Sequence, residues 1–190
     1  TTDWGDMGHF NMLPCSYHGM ALGAAMAWNP DADERADFDR AFSLQLFGDP
    51  TGHVGRLYRA AGTTGLAAWP YLITETAGMP VFGGSALRRA RALLSKAERW
   101  AVEFKTMKPA CWIERNDLDQ LSLACEAIQL NAEKILIDQV STRRREFAKH
   151  LESFSARYSR AWIAANRSSS LHELLAAFRK TAGSFKTRAP

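Results

Sequence analysis

The chain has 190 residues, 46% hydrophobic and 23% charged, with a formal net charge of +4. That is enough for one sizeable domain or a small domain with an appendage, and the composition excludes a disordered polymer. No apolar stretch approaches the roughly twenty residues that span a bilayer, and the basic excess is spread over helices, so neither a membrane nor a nucleic-acid partner is expected.

The chain opens Thr1-Thr2-Asp3-Trp4-Gly5-Asp6-Met7-Gly8-His9 and runs through Leu13-Pro14 into Ser16. A short strand turning into a loop is expected there. A solvent loop has no need of a tryptophan between two aspartates, whereas a carbohydrate site does. The indole face covers the apolar C–H face of a pyranose, and carboxylates accept hydrogen bonds from its hydroxyls. Asp3, Trp4, Asp6 and His9 are therefore the candidate substrate-binding residues. The competing role for Trp4 is burial against the following helix, with the aspartates capping turns. The start at Thr1, without methionine, is read as the cut end of a larger protein.

Ser16 is a candidate N-cap for a helix from Tyr17 to about Trp28, whose Gly19, Gly23, Ala24, Ala25 and Ala27 would let it sit close against another element. Asn29-Pro30 ends it. A second helix is predicted from Asp33 to Phe47, with Phe38, Phe42 and Leu46 at helical spacing, Ala41 and Leu44 widening the stripe, and Asp31, Asp33 and Glu34 at its positive end. Gly48-Asp49-Pro50 breaks it, and a short helix from His53 to about Ala61 follows. The glycine- and proline-rich stretch from Gly62 to Gly84 reads as an ordered loop.

Three long helices come next. One runs from Ala86 to about Met107 with Leu87, Ala90, Leu94, Ala97, Ala101 and Phe104 at alternating three- and four-residue steps. Another starts at Asn116, with Asp119 three residues on in a pattern that resembles a capping box with a shorter acid, and repeats the alternation through Leu118, Leu121, Cys125, Ile128, Ala132 and Ile135. The third carries Phe147, Leu151, Phe154, Tyr158 and Trp162. Three such seams predict antiparallel helices packed at a shallow angle. A last helix is capped by Ser170, buries Leu171, Leu174, Leu175 and Phe178, and stops at Gly183.

The opening residues Thr2-Asp3-Trp4-Gly5-Asp6, Gly8-His9, Leu13-Pro14, Ser16 and Gly23-Ala24-Ala25 through Trp28-Asn29 resemble glycoside hydrolase family 20, the beta-N-acetylhexosaminidase-like enzymes. Asp37-Phe38-Asp39-Arg40-Ala41-Phe42 through Leu46-Phe47-Gly48-Asp49 looks like the next family element, and Tyr158-Ser159-Arg160-Ala161-Trp162 through Asn166-Arg167 like its late helix. Where the family continues with Pro-Gly-Gly, this chain has Ser168-Ser169-Ser170. The resemblance implies a parent built on a (β/α)8 barrel with substrate-assisted catalysis, in which an adjacent Asp-Glu pair orients the substrate's acetamido group and protonates the leaving group. That pair would lie upstream of Thr1, so no catalytic residue is expected here. The opening strand would end at the barrel's C-terminal face, where active sites of this fold lie.

Other groupings read as structural. Asp3, Asp6, His9, Cys15 and His18 lack a metal-binding spacing, so no metal and no cofactor is expected. Asp33-Glu34 complements a helix dipole. Glu126 and Glu133, seven residues apart, read as solvated helix-face charges. The run Arg143-Arg144-Arg145 reads as an exposed helix face, Cys111-Trp112 as a packing corner, and Ser168 to Ser170 as linker and cap. The odd number and wide spacing of Cys15, Cys111 and Cys125 predict buried thiols in a reducing, cytoplasmic compartment.

The expected fold class is mainly α, an antiparallel helical bundle with an N-terminal remnant of a (β/α)8 barrel. Its expected parts are a barrel end (1–30), short helices and an ordered loop (31–84) and the bundle (85–190). The expected function is that of a C-terminal part of a hexosaminidase-like glycoside hydrolase, meeting an amino sugar or other glycoside through the parent barrel and inactive alone. The alternative is a helical interaction or oligomerisation module, and homo-oligomers fit either, because a cut barrel leaves apolar surface exposed.

Overall fold

A computed structural model describes residues 12–29, 35–62, 84–107, 111, 115–137, 143–168 and 171–186. The described residues are mainly helical. A 3-10 turn, Leu13–Ser16, leads into α1 (Tyr17–Trp28), followed by α2 (Arg35–Phe47), α3 (His53–Gly62), α4 (Gly84–Met107), α5 (Arg115–Ile137), α6 (Arg144–Ala165) and α7 (Leu171–Lys186). They fall into two compact units. One holds α1 to α3, α4 from Trp100 and α5 up to Ala124. The other holds α4 up to Arg99, α5 from Cys125, α6 and α7.

In the first unit the joint between α2 and α3 is set by a glycine and an aspartate. Gly48 and Gly52 sit at φ 70° and 71°, where side chains other than glycine's are strained. Between them Asp49 accepts bonds from the backbone N–H groups of Thr51 (2.9 Å) and Val54 (3.0 Å), satisfying an otherwise orphaned donor in the first turn of α3. Gly55 then lies against α2 so closely that a Cβ there would come within 2.5 Å of the Asp39 carbonyl oxygen. The Ser43 hydroxyl bridges the two helices: it donates to Asp39 O (2.6 Å) and accepts from the Gly55 N–H (2.8 Å).

Tyr58 anchors the aromatic core of this unit. Its ring meets Phe42 edge-on at 5.2 Å and Phe104 at 6.0 Å, and its hydroxyl donates to Pro14 O at 2.7 Å. Such a buried ring both fills volume and satisfies its polar tip. By contrast, His18 is the sole buried residue of α1.

In the second unit α6 and α7 pair the start of one with the end of the other. Phe147 meets Phe185 at 4.7 Å, while Phe154 and Tyr158 meet Phe178 at 5.7 and 5.9 Å. The expected core aromatics Phe147, Phe154 and Tyr158 are buried, and Trp162 is half-buried, stacked on Tyr158.

Several expectations are corrected. Gly183 does not stop α7; it is an exposed residue within it. Asn116 lies inside α5 rather than capping it. Ser16 stands at the N-cap of α1 but in helical backbone conformation, because the 3-10 turn runs straight into the helix, and its hydroxyl makes no capping bond. Leu44, counted toward the apolar stripe of α2, is 47% exposed, since the face of α2 turned to α3 is Asp39, Phe42, Ser43 and Phe47. Gly19 lets nothing approach: a Cβ there would meet no atom within 4 Å. The Ser170 cap, the acidic residues Asp31 to Glu34, the loop 63–83 and Trp112 lie outside the described residues.

Candidate functional site

Asp3, Trp4, Asp6 and His9 lie outside the described residues. Among the described residues the chemistry concentrates in two charged clusters, one in each unit.

In the first unit Asp39 on α2 is 3% exposed and holds two partners. His18 of α1 bonds it through Nε2 at 2.8 Å, and Arg59 of α3 donates from Nε and Nη2 at 3.0 and 2.9 Å in a bidentate fork. Burial works to raise the Asp39 pKa, but the bonds from Arg59 and His18 outweigh it and hold the carboxyl below its ordinary range. The His18 ring stacks on Tyr58 at 5.8 Å, with Phe38 and Phe42 edge-on at 5.2 and 5.0 Å. One carboxylate thus ties three helices together. An apolar groove of about 570 Å³ lies beside it between α1 and α2, with Met20, Ala25, Phe38 and Leu46 in its walls.

The second cluster overturns the expectation for Glu126 and Glu133. Glu126 is 8% exposed, not solvated. Its carboxylate takes His150 Nε2 at 3.0 Å and both terminal nitrogens of Arg157, the Nη1 contact at 2.5 Å. The other ring nitrogen, His150 Nδ1, meets Glu133 at 2.9 Å, and Gln129 donates to Glu133 at 2.9 Å. An imidazole donating from both nitrogens to two carboxylates is an imidazolium. Its pKa is raised to about 9 by the bonds to Glu126 and then Glu133, against the opposing effect of burial. Burial raises Glu126, but His150 and Arg157 hold it below the ordinary carboxylate range.

The seven-residue interval from Glu126 to Glu133 is two helical turns, which puts both acids on one face of α5; that much was legible. What it meets was not: His150 and Arg157 are again seven apart, so two matching pairs interlock. That complementary spacing is a signal in the sequence, which considering each helix alone did not use.

A groove of about 780 Å³ opens beside His150, between α4, the end of α5 and the start of α6. Leu87, Leu94, Leu136, Ile137 and Phe147 form its apolar wall, and Arg91, Arg143, Glu133 and Glu146 its charged margin. The cluster has two carboxylates and a charged imidazole but no nucleophile in its bonds, and the imidazolium at neutral pH cannot take a proton. The imidazolium is held between its two carboxylates. Among the described residues no group of three His, Cys, Asp or Glu side chains is placed to hold a metal ion, and no helix is long and apolar enough to cross a membrane. All three cysteines carry thiols. Comparison with protein-family models, with curated proteins and with solved structures found no match.

Proposed function

We propose that this chain is the C-terminal part of a hexosaminidase-like glycoside hydrolase, in which Asp3, Trp4, Asp6 and His9 meet the sugar and the helices that follow form a structural module. The helices after Gly84 make an antiparallel bundle, the segment before α1 is the end of a (β/α)8 barrel, and the protein works in the cytoplasm. The carrying observation is the opening motif itself, whose residue types suit a pyranose and which leads within a few residues into α1. The state of α1 supports it. This helix is made largely of Ala, Gly, Met and Leu, yet only His18 is buried, Met26 is 42% exposed and Trp28 is 93% exposed. A soluble helix of that composition normally has a covering partner, which the adjoining barrel would supply.

The same uncovered face favours the second reading, an interaction or oligomerisation module, in which another protein or a second copy covers α1. The two separate on activity. The full-length polypeptide should hydrolyse a chromogenic N-acetylhexosaminide, and the chain alone should not, because in this reading the Asp-Glu pair of the parent enzyme is not supplied by this chain. Turnover by the isolated chain, or none by the full-length polypeptide, would count against the hydrolase reading.

A further inference from the structure

We propose that the groove between α4, the end of α5 and the start of α6 binds a small carboxylate with an apolar body. Its volume, about 780 Å³, lies in the range of small-molecule sites, and its walls divide by chemistry. Phe147 and Ile137 are buried, while Leu87, Leu94 and Leu136 are half-buried, so among the described residues an apolar surface lines the groove. Arg91 on α4 and Arg143 at the start of α6 reach its margin from two different elements. Both are exposed, and neither has an ion-pair partner among the described residues.

The charges behind them are already balanced. Glu126 and Glu133 face His150 and Arg157, two negative groups against two positive ones, so Glu133 at the groove is engaged rather than available to Arg91 or Arg143. Among the described residues Glu146, one turn from Arg143, is the remaining acid at the margin, and these residues leave an excess of positive charge. A guanidinium donates two parallel bonds to a carboxylate, and burial of an attached chain against leucine and phenylalanine adds the apolar contribution. A cation is disfavoured at the same margin, and a neutral chain finds only the wall.

Decanoate is the probe, titrated into the protein by calorimetry below its micelle-forming concentration, with decanol, decyltrimethylammonium and acetate as controls. Decanoate should bind, decanol and decyltrimethylammonium about tenfold or more weakly, and acetate not measurably, as expected when one charge-assisted contact separates the ligands. The pair Arg91→Gln and Arg143→Gln, both at exposed positions, should lower decanoate affinity about tenfold or more without moving the melting midpoint of the unliganded protein. Leu94→Trp, which fills the wall, should abolish binding. Equal affinity for decanoate and decanol, undiminished affinity in the double variant, or no binding of free decanoate alongside capture by anionic vesicles would each overturn the proposal.

Discussion

Glu126 shows how one buried carboxylate can govern a unit. Removing it in Glu126→Ala leaves His150 and Arg157 without their shared acceptor, and breaking a buried pair costs about 3–5 kcal/mol when no other partner is near. Here Arg157 is 32% exposed and Glu133 still faces His150, so a loss of roughly 2–3 kcal/mol is expected, measured by denaturant unfolding. His150 gives the alkaline counterpart. Its folded pKa, about 9, lies above the unfolded value of 6.5. Its stabilising contribution is therefore complete below pH 6.5 and is lost as pH rises through 9. The raised value corresponds to about 3 kcal/mol as an order of magnitude. The unfolding midpoint of the native chain should fall more between pH 7 and pH 10 than that of His150→Gln. Parallel pH profiles for the two would show that the imidazolium contributes nothing to folding. On the acid side Asp39, Asp49 and Glu126, all lowered, stabilise above their unfolded values and lose that contribution as pH falls through the folded ones.

At the scale of elements, two glycines should respond in opposite directions to the same change. Gly55→Ala forces a methyl group against the backbone of Asp39, so α2 and α3 must separate, at about 1–3 kcal/mol. Gly183→Ala meets open space inside α7 and should stabilise by about 0.5–1 kcal/mol through helix propensity. Melting midpoints of the two variants check both signs. The pair also shows what was legible. The apolar seams of α4 to α7 found those four helices, and for α4 both ends to within two residues, because periodicity is a local property of the chain. Gly183 misled because glycine marks helix ends on average, whereas tertiary contacts around Phe178 and Phe185 carried α7 past it. Gly55, Asp39 and Ser43 were invisible as a joint because their meaning lies in a close approach between two helices. Likewise α5 carries Asp117, Gln120, Asn131 and Lys134 buried, which a polarity pattern assigns to solvent.

At the scale of the whole molecule, the exposed side of α1 decides how the chain behaves alone. Trp28, Met26 and Leu13 leave apolar surface that invites a second copy. Sedimentation should show concentration-dependent association that Trp28→Glu abolishes, and a monomer at high micromolar concentration would contradict it. The hydrolase reading is tested most directly by Trp4→Ala in the full-length polypeptide, followed by melting midpoint and kcat/KM on a chromogenic N-acetylhexosaminide. A ring that serves the sugar is not needed by the folded apoprotein, and truncating a surface-loop side chain typically changes stability by no more than roughly 0.5 kcal/mol. A fully buried tryptophan replaced by alanine costs about 3–5 kcal/mol instead. The predicted result is a large fall in kcat/KM with a near-native midpoint. An unchanged kcat/KM, or a collapse of the midpoint, would contradict the assignment of the opening motif to the sugar.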